Sequence, residues 1–128
     1  MDFLRYITTP VGVTEAAPLV TKLKLTKGRL TGGFLYFPSG PAGNLHFLAR
    51  QGIHQLLPFN TGENLRLDDC MVPFHLGIDL NEPPYEIDLV TWNDSVLYDH
   101  VLTACFFLEP AVEDLYSLQS LKDKTTDG

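Results

Sequence analysis

The sequence predicts an all-β fold: an antiparallel β-sandwich, jelly-roll-like, of about eight strands. Three observations lead there. Nine prolines and ten glycines cut the 128-residue chain into runs of about seven to ten residues, shorter than the windows helices need. Several runs alternate apolar and polar side chains with the period of two that a half-buried strand requires. They recur at spacings of about 10–12 residues with no convincing helix between them, which fits a sandwich better than a parallel sheet.

Residues 1–17 carry Phe3, Leu4, Tyr6 and Ile7 ahead of a Pro/Gly break, and two readings stand side by side: an arm lying over a neighbouring molecule, or an ordinary first strand. The sandwich is expected over residues 18–110. From Pro18 to Leu25, Leu19, Thr21, Leu23 and Leu25 share one face and Val20, Lys22 and Lys24 the other, before a turn at Lys27-Gly28. Arg29 to Phe37 forms the next strand, and its Gly32-Gly33 pair suggests a bulge or a close backbone approach. Pro38 to Asn44 contains only turn formers and alanine, so it reads as an exposed loop. Leu45, Phe47 and Ala49 then share a face, and the strand is expected to continue past Gly52 through Ile53 to Leu57.

After the polar turn Asn60 to Asn64, Leu65-Arg66-Leu67 and the acidic pair Asp68-Asp69 lead into an extended run, Cys70 to Leu76. Pro73 marks that run as an edge strand or a bulge, because proline cannot donate to a central ladder. Beyond Asn81-Glu82-Pro83-Pro84, Tyr85, Ile87, Leu89 and Thr91 face one way and Glu86, Asp88, Val90 and Trp92 the other. Asn93-Asp94-Ser95 turns the chain into the last strand, His100 to Leu108. In residues 111–128, Val112, Leu115, Leu118 and Leu121 recur at three-residue steps, the spacing of one short helix, followed by a tail.

Composition excludes several function classes. A net charge of −7 repels polyphosphate and anionic lipid, so neither nucleic acid nor a membrane surface is expected as the main partner. The N-terminus lacks a basic region followed by an apolar stretch, and no apolar run approaches a membrane span, so a soluble protein made in the cytoplasm is expected. Two cysteines, Cys70 and Cys105, are too few for a disulfide scaffold and are expected to stay reduced, a single bridge being the alternative. Charge is uneven along the chain: residues 1–67 hold seven basic and three acidic side chains (+4), residues 68–128 two basic and thirteen acidic (−11). Solvated charges on outward strand faces are the favoured reading, with complementary contacts between copies as the other.

No catalytic or metal-binding constellation emerges, so no enzyme and no cofactor is expected. His46, His54, His75 and His100 do not have the His-x-His spacing of a cupin metal site; on one long strand His46 and His54 would lie about 26 Å apart. Asp94 and Asp99 offer hard oxygen ligands, a weak calcium signal. Ser39 lacks a nucleophile elbow, and Cys105 and His100 are separated by an odd offset that sends them to opposite faces. What remains are aromatic and apolar side chains in loops and at strand ends: Phe59, Trp92, Leu97 and Tyr98, joined by Phe3 and Tyr6 near the N-terminus. Such residues anchor protein or sugar interfaces when exposed and close the ends of a sandwich when buried. Trp92, Tyr98 and Phe59 together would make the stacking platform of a carbohydrate-binding module, the alternative function.

The segments Gly52-Ile53-His54-Gln55-Leu56-Leu57-Pro58, Leu67-Asp68-Asp69, Pro83-Pro84-Tyr85-Glu86-Ile87-Asp88-Leu89, Trp92-Asn93-Asp94 and Tyr98-Asp99-His100, taken together over residues 8 to 110, resemble small β-sandwich proteins of tailed bacteriophage particles. The resemblance implies a non-enzymatic virion component, made in the host cytoplasm: a capsid decoration (cement) protein or part of a head or tail appendage. By the same analogy it would act as a homo-oligomer, a trimer, bound to the major capsid protein or another virion protein.

Overall fold

The computed structural model describes residues 1–58 and 62–111. Phe59 and the helix expected after Ala111 lie outside those residues. Eight strands form in chain order: β1 (Asp2–Thr9), β2 (Leu19–Lys24), β3 (Gly28–Phe37), β4 (Leu45–Gln51), β5 (His54–Leu57), β6 (Cys70–Leu80), β7 (Glu86–Asn93) and β8 (His100–Pro110). Every strand pairing is antiparallel. The strands make two sheets, sheet A in the order β1-β8-β3-β6 and sheet B in the order β2-β7-β4-β5.

That order is a jelly roll. Strand 1 pairs with 8, 2 with 7, 3 with 6 and 4 with 5, so the chain is one long hairpin of four rungs. The hairpin is rolled so that β3 meets β8 and β4 meets β7. Rolling sends alternate rungs to alternate sheets and clusters the connections β1–β2, β3–β4, β5–β6 and β7–β8 at one end. The three remaining connections are short and lie at the other.

The predicted alternation positions the core. Leu23 and Leu25, Leu45, Phe47 and Ala49, Ile87 and Leu89, and Leu102, Ala104, Phe106 and Leu108 all point between the sheets and are buried. In β3 the phase changes: Leu30 points inward before the bulge, Leu35 and Phe37 after it. The Gly32-Gly33 pair sits at that shift, as the sequence suggests, and the backbone of β8 runs so close that a Cβ on Gly33 would collide with the carbonyl oxygen of Cys105. Pro73 lies in β6, an edge strand of sheet A, and that strand runs on to Leu80 rather than ending at Leu76.

One expectation is overturned. The chain does not continue as a strand from Leu45 to Leu57; Gly52, in a left-handed conformation, and Ile53 make a tight turn, and β5 folds back to pair with β4. A period-two pattern cannot by itself distinguish one long strand from a hairpin when the turn is only two residues long. Residues 2–9, one of whose readings was an arm, occupy the position of first strand, hydrogen-bonded along β8.

Candidate interaction surface

The two outer faces of the sandwich differ in chemistry. On sheet B, β2, β7 and β4 meet in an ion-paired cluster: Lys22 Nζ lies 3.3 Å from Glu86 and 3.1 Å from Asp88, and Arg50 Nε lies 3.6 Å from the same Asp88. The two carboxylates hold the Lys22 ammonium above the usual lysine range, the hydrogen bond to Asp88 contributing most. On sheet A, Arg29 pairs with Asp79 at 2.7 Å. Each of these pairs joins a base from the first 67 residues to an acid from the last 61. Part of the uneven charge along the chain is therefore matched within the molecule, because a jelly roll lays its second half antiparallel along its first.

The outer face of sheet A is different. Two complete rows cross its four strands without a formal charge: Leu4, Cys105, Phe34 and Pro73 in one, Tyr6, Thr103, Tyr36 and Met71 in the next. Phe107 and Val101 extend the surface along β8, and the Phe34 and Phe107 rings meet edge to face at 6.2 Å. Leu4, Tyr36, Val101 and Phe107 are exposed, as are Met71 (61%) and Tyr6 (71%). With strands about 4.8 Å apart and same-face residues about 6.7 Å apart, the patch covers on the order of 300 Å², the size of the largest apolar patch on a typical monomer, which is often functional.

Apolar side chains are also displayed at the end with the long connections. Asn93, buried, donates from Nδ2 to the carbonyls of Thr9 (3.1 Å) and Tyr98 (2.9 Å) and accepts from the Ser95 amide (2.9 Å). Ser95 Oγ accepts from the Tyr98 amide at 3.2 Å, and the Val11 amide donates to Asp99 at 2.9 Å. This clasp holds Val96, Leu97 and Tyr98 outward, all well exposed, beside Val11. A second clasp organises the β3–β4 loop, where the amides of Gly40 and Ala42 both donate to Asp68 at 2.9 Å. Those two donors, Ala42 first, hold the Asp68 carboxyl below its usual range.

The residues singled out in the sequence separate accordingly. Tyr6 lies on the apolar face; Phe3, in the other phase of β1, packs half-buried against the core. Leu97 and Tyr98 form the exposed tip. Trp92 is 4% exposed, its ring stacked on His46 at 4.9 Å and 7°, so the indole of the carbohydrate platform already has a ring against it. His46 is fixed between Asn64 Oδ1 and Asp94 Oδ2, each 2.6 Å away. His54 and His75 are exposed on opposite sheets, and His100 starts β8 facing inward. Among the described residues no group of three His, Cys, Asp or Glu side chains could hold a metal ion. Cys70 and Cys105 are both free thiols, and burial pushes the Cys105 thiol up.

From sequence, Leu4 stands out only as part of an arm or first strand and Pro73 only as an edge or bulge marker; Phe34, Tyr36, Met71, Val101 and Phe107 are not singled out as interface residues, although a signal exists. Phe34-Leu35-Tyr36-Phe37 and Cys105-Phe106-Phe107-Leu108 are apolar in both phases, whereas a strand with one wet face should alternate. Comparison with protein-family models, with curated proteins and with solved structures returned no match.

Proposed function

We propose that this protein is a non-enzymatic assembly subunit, a homo-oligomeric component of a virus particle that decorates the capsid or forms part of a head or tail appendage. The observation that supports the reading is the contrast between the two outer faces. Sheet B carries an ion-paired cluster of Lys22, Arg50, Glu86 and Asp88, while sheet A offers two uncharged apolar rows to a partner. A rigid sandwich with one sticky face and one solvated face is what a protein that sits on a shell requires, since it must adhere on one side and stay soluble on the other. The viral assignment itself comes from the resemblance over residues 8 to 110.

Co-sedimentation tests this. Purified chain added back to virions from which its gene has been deleted is expected to pellet with them, and Tyr36→Glu combined with Met71→Glu, which charges the centre of the apolar face without touching the core, is expected to abolish pelleting. Wild-type protein that stays in the supernatant would overturn the proposal.

A further inference from the structure

Among the described residues, the edge of sheet A next to the apolar face is open in a specific way. Met1 and Leu108 exchange both of their backbone hydrogen bonds, at 3.0 and 2.8 Å. In an antiparallel ladder such pairs alternate, so Phe3, Arg5, Ile7 and Thr9 also turn their amides and carbonyls toward β8. Asp2, Leu4, Tyr6 and Thr8 therefore turn theirs outward, away from the sheet. These same four residues carry the outward side chains of β1, Leu4 and Tyr6 among the apolar rows.

The other three edges are guarded. Pro73 interrupts β6; β2 is six residues long and carries Lys22 and Lys24; β5 has four residues and stops before Pro58. Proline, lysine, brevity and charge are devices by which natural sheets discourage edge pairing; β1, with eight residues and no proline or lysine, keeps only charge, in Asp2 at its start and Arg5. Arg5 is its one basic side chain, on the core-facing phase, and like charges set directly opposite are unfavourable. That rules out the register with Arg5 opposite its own copy, and of the rest those centred on Leu4 or Tyr6 form the most backbone hydrogen bonds.

Resting on the assembly reading above, we infer that two copies of this chain join through antiparallel pairing of β1 with β1 across a two-fold axis. About six backbone hydrogen bonds form in either allowed register. Sheet A becomes an eight-stranded sheet, and the two apolar faces merge into one surface with Leu4 and Tyr6 at the seam. The edge alone buries on the order of 300–400 Å² per copy, at the small end of specific interfaces, so the dimer is expected to dissociate on dilution.

Light scattering coupled to size exclusion tests this on the full-length chain. The expected mass at high concentration is twice the 14.3 kDa of one chain, falling toward one on dilution. Tyr6→Pro removes an outward donor without removing a bond to β8, and Tyr6→Glu places a negative charge opposite the other copy's Asp2 in one register and opposite itself in the other; both are expected to be monomers with unchanged far-ultraviolet circular dichroism. By hydrogen exchange, the Leu4 and Tyr6 amides should become protected as concentration rises. A wild-type monomer or trimer, a Tyr6→Glu variant that stays dimeric, or Leu4 and Tyr6 protection independent of concentration, which would mean that the edge is closed from within the chain, each overturns the pairing. A monomer that still pellets with virions would leave the assembly role standing while the pairing fell, and a dimer that pellets with nothing would do the reverse.

Discussion

Two residues show how closely the backbone is specified. Gly33 lies where β3 crosses against β8 at the bulge, with the Cys105 carbonyl in the space a Cβ would need. Gly33→Ala must therefore separate two central strands of sheet A. Its expected cost is on the order of 3 kcal/mol, measured as a lowered denaturation midpoint, against about 1 kcal/mol at Gly52, where a Cβ meets open space and only the left-handed backbone penalises it. Asp68 organises a loop in place of a strand. Its carboxyl is held low in the folded state by the Ala42 and Gly40 amides, so its contribution to stability is fully present above the unfolded value near 3.9 and fades as pH falls through the lowered folded value. Asp68→Asn is expected to weaken the protein at neutral pH, and the gap between variant and wild type should close in acid, followed by denaturant unfolding across that range.

At the scale of elements, strands differ in what they bear. β8 lies between β1 and β3, and its Leu102, Ala104, Phe106 and Leu108 are all buried, with Phe106 packed on Phe74 at 5.2 Å. Phe106→Ala should cost about 3–5 kcal/mol, read from thermal or denaturant unfolding. Lys22→Ala, which breaks an exposed ion pair on edge strand β2, should have a small effect that high salt removes. The same contrast explains which elements were legible. The alternations over Pro18 to Leu25, Leu45 to Gln51 and Tyr85 to Trp92 locate β2, β4 and β7 and assign their inner faces, because one side of each is apolar and the period is short. The β4–β5 turn was hidden, since Gly52 and Ile53 leave the alternation unbroken on either side. The apolar outer face was hidden for a related reason: Phe34, Tyr36 and Phe107 sit beside core residues in sequence, and strand runs that are apolar in both phases look like fuller cores until the sheet order shows which phase is uncovered.

For the molecule as a whole, punctuation and periodicity indicate a jelly-roll-like sandwich, but not which strands pair. Nothing local to Met1 indicates that it will meet Leu108, 107 residues away, nor that Lys22 will find Glu86 and Asp88. The asymmetry of +4 against −11 carried that information in coarse form: a chain whose basic half must lie along its acidic half gains by pairing as one long hairpin. Which of Trp92's two readings holds is a global matter as well, because its exposure depends on His46, a cross-strand neighbour that only the pairing of β4 with β7 supplies.

The separation of connections between the two ends has a practical corollary. The apolar tip at Val96 to Tyr98 and the loop clasped by Asp68 belong to one end, while the hairpin at Gly52 and Ile53 projects from the opposite one, with Ile53 94% exposed. A foreign epitope grafted between Gly52 and Ile53 would point away from both, so the domain offers a ready scaffold for antigen display.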